Sequence, residues 1–115
     1  MDHSSEQVLE VVVKTLEDKK AVRIVSLDLR ELSPVADFFV IAHGNSDTHV
    51  QTIAQAVRDM AAEKGMPFRG MEGLDAARWV LIDLGDVVCH IFHRDEREYY
   101  NLENLWSDAK AVEYA

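Results

Sequence analysis

The chain has 115 residues, 48% of them hydrophobic and 29% charged, a balance typical of a globular domain with its own core and not of a disordered segment. Twelve Lys and Arg against 21 Asp and Glu leave a net charge of -9, which disfavours direct nucleic-acid binding and fits a basic partner protein and simple solubility equally well. The lone Cys89 excludes an internal disulfide, and the lack of a basic amino-terminal segment or long apolar run predicts a cytoplasmic protein without a membrane span.

The first half of the chain predicts one helix followed by two strands. Ser4 or Ser5 can cap a helix in SSEQVLEVVVKTLEDKK. The β-branched stretch AVRIVSLDL alternates and predicts a strand, with Val22 and Ile24 facing away from Val25. Beyond Pro34, the continuous apolar run FFVIAH is typical of a strand covered on both faces. The predicted buried face of the first helix consists of Val8, Leu9, Val12 and Leu16.

A long helix is predicted after HGNSD, with Ser46 as its N-cap and Gly65 as its C-cap. The turn before it could in principle hold a phosphate, but it contains no Lys or Arg, and Asp47 places a negative charge where a phosphate would sit. Helix capping is therefore the favoured interpretation of this loop. The predicted buried stripe of the helix consists of Val50, Ile53, Ala54, Val57 and Ala61.

The second half predicts a hairpin between two shorter segments. PFRGMEG predicts a short strand or loop, and RWVLID with VVCHIFH predicts a hairpin turning at Gly85 and Asp86. In REYYNLENLWSDA, one side of a short predicted helix carries Tyr99, Leu102, Leu105 and Trp106. Residues 1–115 are thus predicted to form a single α/β domain, with packed helices and a mixed sheet of four or five strands.

The hairpin register separates a core face from a second face. A two-residue turn places Leu84 opposite Val87, Ile82 opposite Cys89 and Val80 opposite Ile91 on an apolar side. That side is predicted to be core. The other face carries Trp79, Leu81, Asp83, Val88, His90 and Phe92.

The acidic residues and histidines of the hairpin suggest chemistry, but their spacing argues against it. His90 and His93 leave a strand on opposite faces, so they are poorly placed to share a metal ion. Asp83 and His90 share a face and are predicted to hydrogen-bond, yet no nucleophile accompanies them. A nucleotide-dependent enzyme would need Asp83 and Asp86 together on magnesium, whereas one lies on the strand and the other in the turn. We therefore expect no catalytic, metal or cofactor site.

Large apolar side chains with few polar groups are typical of an interface core, and Trp is a preferred anchor. Burial of the same face beneath another element is the alternative, and the pattern alone leaves both open. Asp86 and Glu96 are candidates for the rim of such an interface. Tyr99 either extends that rim or packs the carboxyl-terminal helix against the body, and packing is the favoured interpretation.

The chain closely resembles the ribosomal silencing factor family, also called Iojap or RsfS. The resemblance is carried by S-x-x-A-D-F-F-V-I-A-H-G-N-S from Ser33, R-W-V-L-I-D-L-G-D-V-V from Arg78, H-I-F-H from His90 and R-E-Y-Y-N-L-E-N-L-W from Arg97. These motifs are specific in combination and span nearly the whole chain.

The resemblance implies a fold related to nucleotidyltransferases without their catalytic carboxylates. Similar proteins bind the fourteenth protein of the large ribosomal subunit, block joining of the small subunit and lower translation when nutrients run short. By resemblance, Trp79 and Leu81 contact that ribosomal protein. Relatives are frequently dimers, so a homodimer away from the ribosome is an alternative occupant of the same face.

Overall fold

The computed structural model describes residues 3–114, which form four helices and six strands. In chain order these are α1 (Ser5–Asp18), β1 (Val22–Asp28), β2 (Phe38–Gly44), α2 (Asp47–Lys64), β3 (Gly70–Glu72), β4 (Trp79–Asp83), β5 (Val87–His93), α3 (Arg94–Tyr100), α4 (Leu102–Leu105) and β6 (Lys110–Glu113). No helix in this part of the chain is long and apolar enough to cross a membrane.

All six strands belong to one mixed sheet in the order β3-β4-β5-β2-β1-β6. Strands β2 and β5 are parallel, and the other neighbouring pairs are antiparallel. The predicted α/β class and mixed sheet are confirmed, but the predicted count of four or five strands was too low. The unpredicted strand is β6, whose four exposed residues are too few and too polar to reveal a strand by alternation; β3 lies within PFRGMEG, where a short strand or loop was predicted.

Helices α1 and α2 cover one face of the sheet and build the larger core. Ser4 forms a capping box with Gln7, and the Ser46 side chain accepts the backbone N–H of His49, so both predicted N-caps are confirmed. Gly65 ends α2 with φ 67°, as predicted. The predicted stripe of α2 is fully buried, as are Val8, Val12 and Leu16 of α1, whereas Leu9 is only partly buried.

Strand β1 departs from the simple alternation that its sequence predicts. The register shifts between Val22 and Val25, and Arg23 between them has φ 51°. From Ile24 to Leu27 every residue is buried, because the second face of the sheet is covered as well. The alternating pattern therefore identified the strand but not its burial.

The carboxyl-terminal segment does not form the single short helix that was predicted. Asn101 adopts a left-handed conformation with φ 46° and separates α3 from α4. Leu102 is buried, whereas Tyr99 and Leu105 are 79% and 73% exposed. The predicted common apolar side is therefore wrong for these two residues, because the break at Asn101 changes the helix phase between them.

Candidate docking surface

The hairpin of β4 and β5 has the predicted register. Val80 pairs with Ile91 and Ile82 with Cys89, and these four residues are buried in the larger core. The Leu84 N–H donates to the Val87 carbonyl at 2.9 Å and closes the two-residue turn. The pairs on the opposite face are Trp79 with Phe92, Leu81 with His90, and Asp83 with Val88.

The six residues predicted to contact a partner differ in how deeply they are buried. Trp79, Leu81 and Asp83 on β4 are half-buried, while Val88, His90 and Phe92 on β5 are buried, with Phe92 fully inaccessible. Burial beneath another element is therefore the interpretation that fits β5, whereas contact of the β4 residues with a partner stays a prediction. Direct contact with a partner is disfavoured for the β5 residues, because Val88 and His90 are only 8% and 4% exposed and Phe92 is buried in a second core. That second core consists of Val25, Leu27, Leu29, Ile41, Phe92 and Leu102, with Phe39, Trp79, Trp106 and Ala109 at its border.

Trp79 is fixed on three sides. Its ring stacks on Phe92 with the centroids 5.1 Å apart, and Tyr100 of α3 lies against it at 4.6 Å. The indole Nε1–H donates to the Nδ1 atom of His90 at 3.1 Å. The tryptophan is thus partly exposed but held in one position, as suits an anchor residue.

His90 is a neutral imidazole in an apolar setting. Burial lowers the pKa of His90 to about 4, so it is uncharged near neutral pH. Because Nδ1 accepts the indole N–H, the ring proton resides on Nε2, which is buried without a hydrogen-bond partner among residues 3–114. The predicted hydrogen bond between Asp83 and His90 is not formed. Asp83 Oδ1 instead accepts the N–H of Gly85 at 2.8 Å and closes the hairpin turn.

A shallow recess of about 330 Å³ adjoins Trp79. Its lining consists of Glu72, Gly73, Trp79 and Leu81. Gly73 has φ 87°, and a Cβ atom there would lie 2.2 Å from the Trp79 carbonyl oxygen. Only glycine therefore allows the end of β3 to approach β4 so closely. Glu72 was not among the predicted site residues, and its place beside this glycine is the signal that could have pointed to it.

The three predicted rim residues lie in different settings. Asp86 is exposed in the hairpin turn, and Tyr99 is the most exposed large hydrophobic side chain of the two short helices, with its ring 5.1 Å from that of Tyr100. Glu96 is half-buried, 3.9 Å from Arg78, the residue before Trp79. Glu96 and Tyr99 extend from the α3 side of the tryptophan, whereas Asp86 lies at the far end of β4.

A buried arginine attaches α3 to the sheet. Arg97 is 2% exposed and donates to Glu103 at 3.2 Å, to the Val22 carbonyl at 3.2 Å and to His43 Nδ1 at 2.9 Å. Burial and the positive charge of Arg97 lower the pKa of His43 to about 4. This network fixes α3 and therefore places Tyr100 against Trp79. Sequence reasoning missed it, because its members are distant along the chain and Arg97 resembles a surface residue by type.

The other candidate sites have structural roles. The Ser46 hydroxyl caps α2 at 3.1 Å from the His49 nitrogen, and burial raises the pKa of the Cys89 thiol to about 12. His90 and His93 lie on opposite faces of β5, and within residues 3–114 no group of three or more His, Cys, Asp or Glu side chains is placed to hold a metal ion. The arrangement around Trp79 is suited to packing against another surface.

Comparison with known proteins gives a consistent match along the chain. The family model described as "Ribosomal silencing factor during starvation" matches residues 2–115. A protein named ribosomal silencing factor RsfS from Halalkalibacterium halodurans is 52% identical over 96% of this chain and 94% of its own length, and the Bacillus subtilis protein of that name is 53% identical over 92% and 90%. A crystal structure from Chromobacterium violaceum superimposes with a TM-score of 0.89 at 32% identity, covering 91% of this chain and 88% of that one.

Proposed function

The chain belongs to the ribosomal silencing factor family, and on that premise we propose that its Trp79 surface docks on the fourteenth protein of the large ribosomal subunit. The bound chain occupies the face that the small subunit must approach. It thereby blocks subunit joining and lowers translation under nutrient limitation. This activity requires a cytoplasmic chain and no chemical step.

The observation that carries this proposal is a partly exposed tryptophan held rigidly at the edge of a recess. Trp79 is fixed by Phe92, Tyr100 and His90, so its side chain loses little freedom when a partner covers it. The adjoining recess, with Leu81 in its lining, offers a shallow apolar depression for a partner side chain. A rigid aromatic anchor beside a depression is the arrangement that dominates binding energy in protein interfaces.

Charge supports a protein partner over the surrounding RNA. The net charge of -9 repels phosphate backbones and attracts the basic surface of a protein that itself contacts ribosomal RNA. Glu72 beside the recess, Asp83 on β4 and Glu96 near Arg78 supply carboxylates around Trp79. These carboxylates would meet Lys or Arg at the edge of the contact and set its orientation.

The proposal is tested by sedimentation of purified ribosomal subunits through sucrose gradients with the wild-type chain and with Trp79→Ala. Wild type should travel with the large subunit and prevent joining. Trp79→Ala should lose at least about 2 kcal/mol of binding, a factor of roughly 30, because the anchor is removed. A thermal melt checks that the variant remains folded.

Val112→Ala is the matched control, because Val112 is 44% exposed on β6 at the opposite edge of the sheet. It should bind and block joining like wild type. Normal binding by Trp79→Ala would refute docking through this surface. Failure of the wild-type chain to associate with the large subunit would refute the function itself.

A further inference from the structure

The indole N–H of Trp79 meets an unusual acceptor. Within the described part of the chain its partner is Nδ1 of His90 at 3.1 Å, on a side chain that is only 4% exposed. His90 lies beneath Trp79, so a partner that contacts Trp79 would not reach His90 itself.

We propose that His90 is a positioning residue for docking: it accepts the indole N–H and selects the orientation in which Trp79 meets the partner, without touching the partner itself. This inference rests on the proposed function. It changes the role predicted for His90 from the sequence, which was direct contact with the ribosomal protein.

The hydrogen bond to His90 depends on the orientation of the indole in a way that ring contacts do not. Phe92 and Tyr100 contact the indole at 5.1 and 4.6 Å, and such ring contacts depend mainly on apolar area and tilt. The hydrogen bond forms only when the N–H edge of the indole faces His90. Rotation about the Cβ–Cγ bond would break it and present a different edge of the indole to a partner.

The chemical nature of residue 90 also points to this role. Its ring lies 4.5 Å from that of Phe39 and 6.5 Å from that of Phe92, so its neighbours are apolar rings. The imidazole instead leaves its Nε2 buried and unpartnered within residues 3–114. A buried polar atom without a partner is unfavourable, so the compensating contribution of the imidazole is the acceptor at Nδ1.

The test is a double-mutant cycle on binding to purified large subunits, combining His90→Phe with Trp79→Phe. His90→Phe keeps a ring but removes the acceptor, and it should weaken binding about tenfold, as expected for one lost orienting hydrogen bond. In the Trp79→Phe background, which has no indole N–H, the same change should alter binding less than about twofold. His90→Gln keeps an acceptor and should restore most of the affinity.

A spectroscopic readout separates positioning from a general structural role. The Trp79 indole ¹⁵N–¹H resonance should shift and exchange faster with solvent in His90→Phe than in wild type and His90→Gln. Binding by His90→Phe equal to wild type, or an equal loss in both backgrounds, would overturn the positioning role. Normal binding by Trp79→Ala is a different result, which refutes the docking surface and with it any role of His90 in docking.

Discussion

Two buried histidines differ in how their neutral form is maintained. His90 lies among aromatic rings and is kept neutral by burial alone, whereas His43 also faces the guanidinium of Arg97 at 2.9 Å. In each case the pKa falls to about 4 from an ordinary value of 6.5. The unfolded chain therefore binds protons at both positions more readily than the folded chain does.

The stability of the fold should decrease as the pH falls from 6.5 towards 4. Across this window the unfolded chain takes up a proton at each histidine, whereas the folded chain does not. The stability of the fold is therefore highest above pH 6.5 and decreases on acidification towards pH 4. His90→Phe removes one of these protons, so its unfolding free energy should depend less steeply on pH, by up to about 1.4 kcal/mol per pH unit. Urea denaturation of both proteins at several pH values within the window measures the difference.

The region above pH 7 provides the control, since His90 is neutral there in both states and the two stability curves should run parallel. Parallel curves throughout the window would contradict the prediction. They would mean that His90 titrates in the fold as it does in the unfolded chain.

At the residue scale, the sequence predicted which face each hairpin residue occupies but not how deeply it lies. The period of two and the turn at Gly85 and Asp86 determine the face of Trp79 and of Phe92 alike. Depth depends on what covers the strand. For Phe92 and His90 the cover is supplied by distant parts of the chain, namely Phe39, Tyr100 and Leu102. Local periodicity contains no information about such contacts.

The connection from β3 to β4 depends on the glycine at position 73. Its φ of 87° is unfavourable for any side chain, and the space that a Cβ would need is occupied by the Trp79 carbonyl at 2.2 Å. Gly65 at the end of α2 has a similar φ of 67°, yet a Cβ there would meet nothing within 4 Å. A side chain at either position would therefore adopt an unfavourable φ, but only at position 73 would its Cβ also collide with another part of the chain.

Alanine substitutions at positions 65 and 73 should distinguish the cost of an unfavourable φ from the cost of a steric clash. Gly65→Ala should cost about 1–2 kcal/mol of stability from its left-handed conformation. Gly73→Ala should cost roughly 2–5 kcal/mol, because displacement of β4 by the new Cβ is added to the same strain. Chemical denaturation measures both values. Gly73→Ala should also weaken large-subunit binding, since Trp79 moves with β4, while Gly65→Ala should not.

Equal destabilisation by the two alanines would contradict this prediction and show that β3 can move away from β4 at little cost. Normal subunit binding by a folded Gly73→Ala protein would mean that docking tolerates displacement of Trp79.

At the element scale, the capped ends of the two long helices were predictable from the sequence, whereas the helix break at Asn101 and the short strand β6 were not. Ser4, Ser46 and Gly65 act through contacts within a few residues, and for this reason the ends of α1 and α2 could be predicted. The break at Asn101 has no proline or glycine to mark it. Strand β6 is exposed along its whole length, so hydrogen bonds to β1 and not an apolar pattern define it.

For the molecule as a whole, the proposed docking gives acidity a different effect on the two sides of the sheet. If the partner is a basic protein surrounded by RNA, carboxylates near Trp79 would attract the partner, while those elsewhere would only repel phosphate groups. Glu72 and Glu96 adjoin the Trp79 surface. Glu10 on α1 and Glu63 on α2 are exposed on the helices that cover the opposite face.

Two double variants of equal net charge distinguish local attraction from the effect of total charge. Glu72→Gln with Glu96→Gln should lower the association rate for the large subunit several-fold at low salt and reduce its dependence on salt. Glu10→Gln with Glu63→Gln should leave the rate unchanged or raise it, because it only reduces repulsion from RNA. Stopped-flow measurements across a salt series compare them. An equal decrease for both pairs would show that attraction follows net charge, which would remove the electrostatic reason for assigning the contact to the Trp79 side of the sheet.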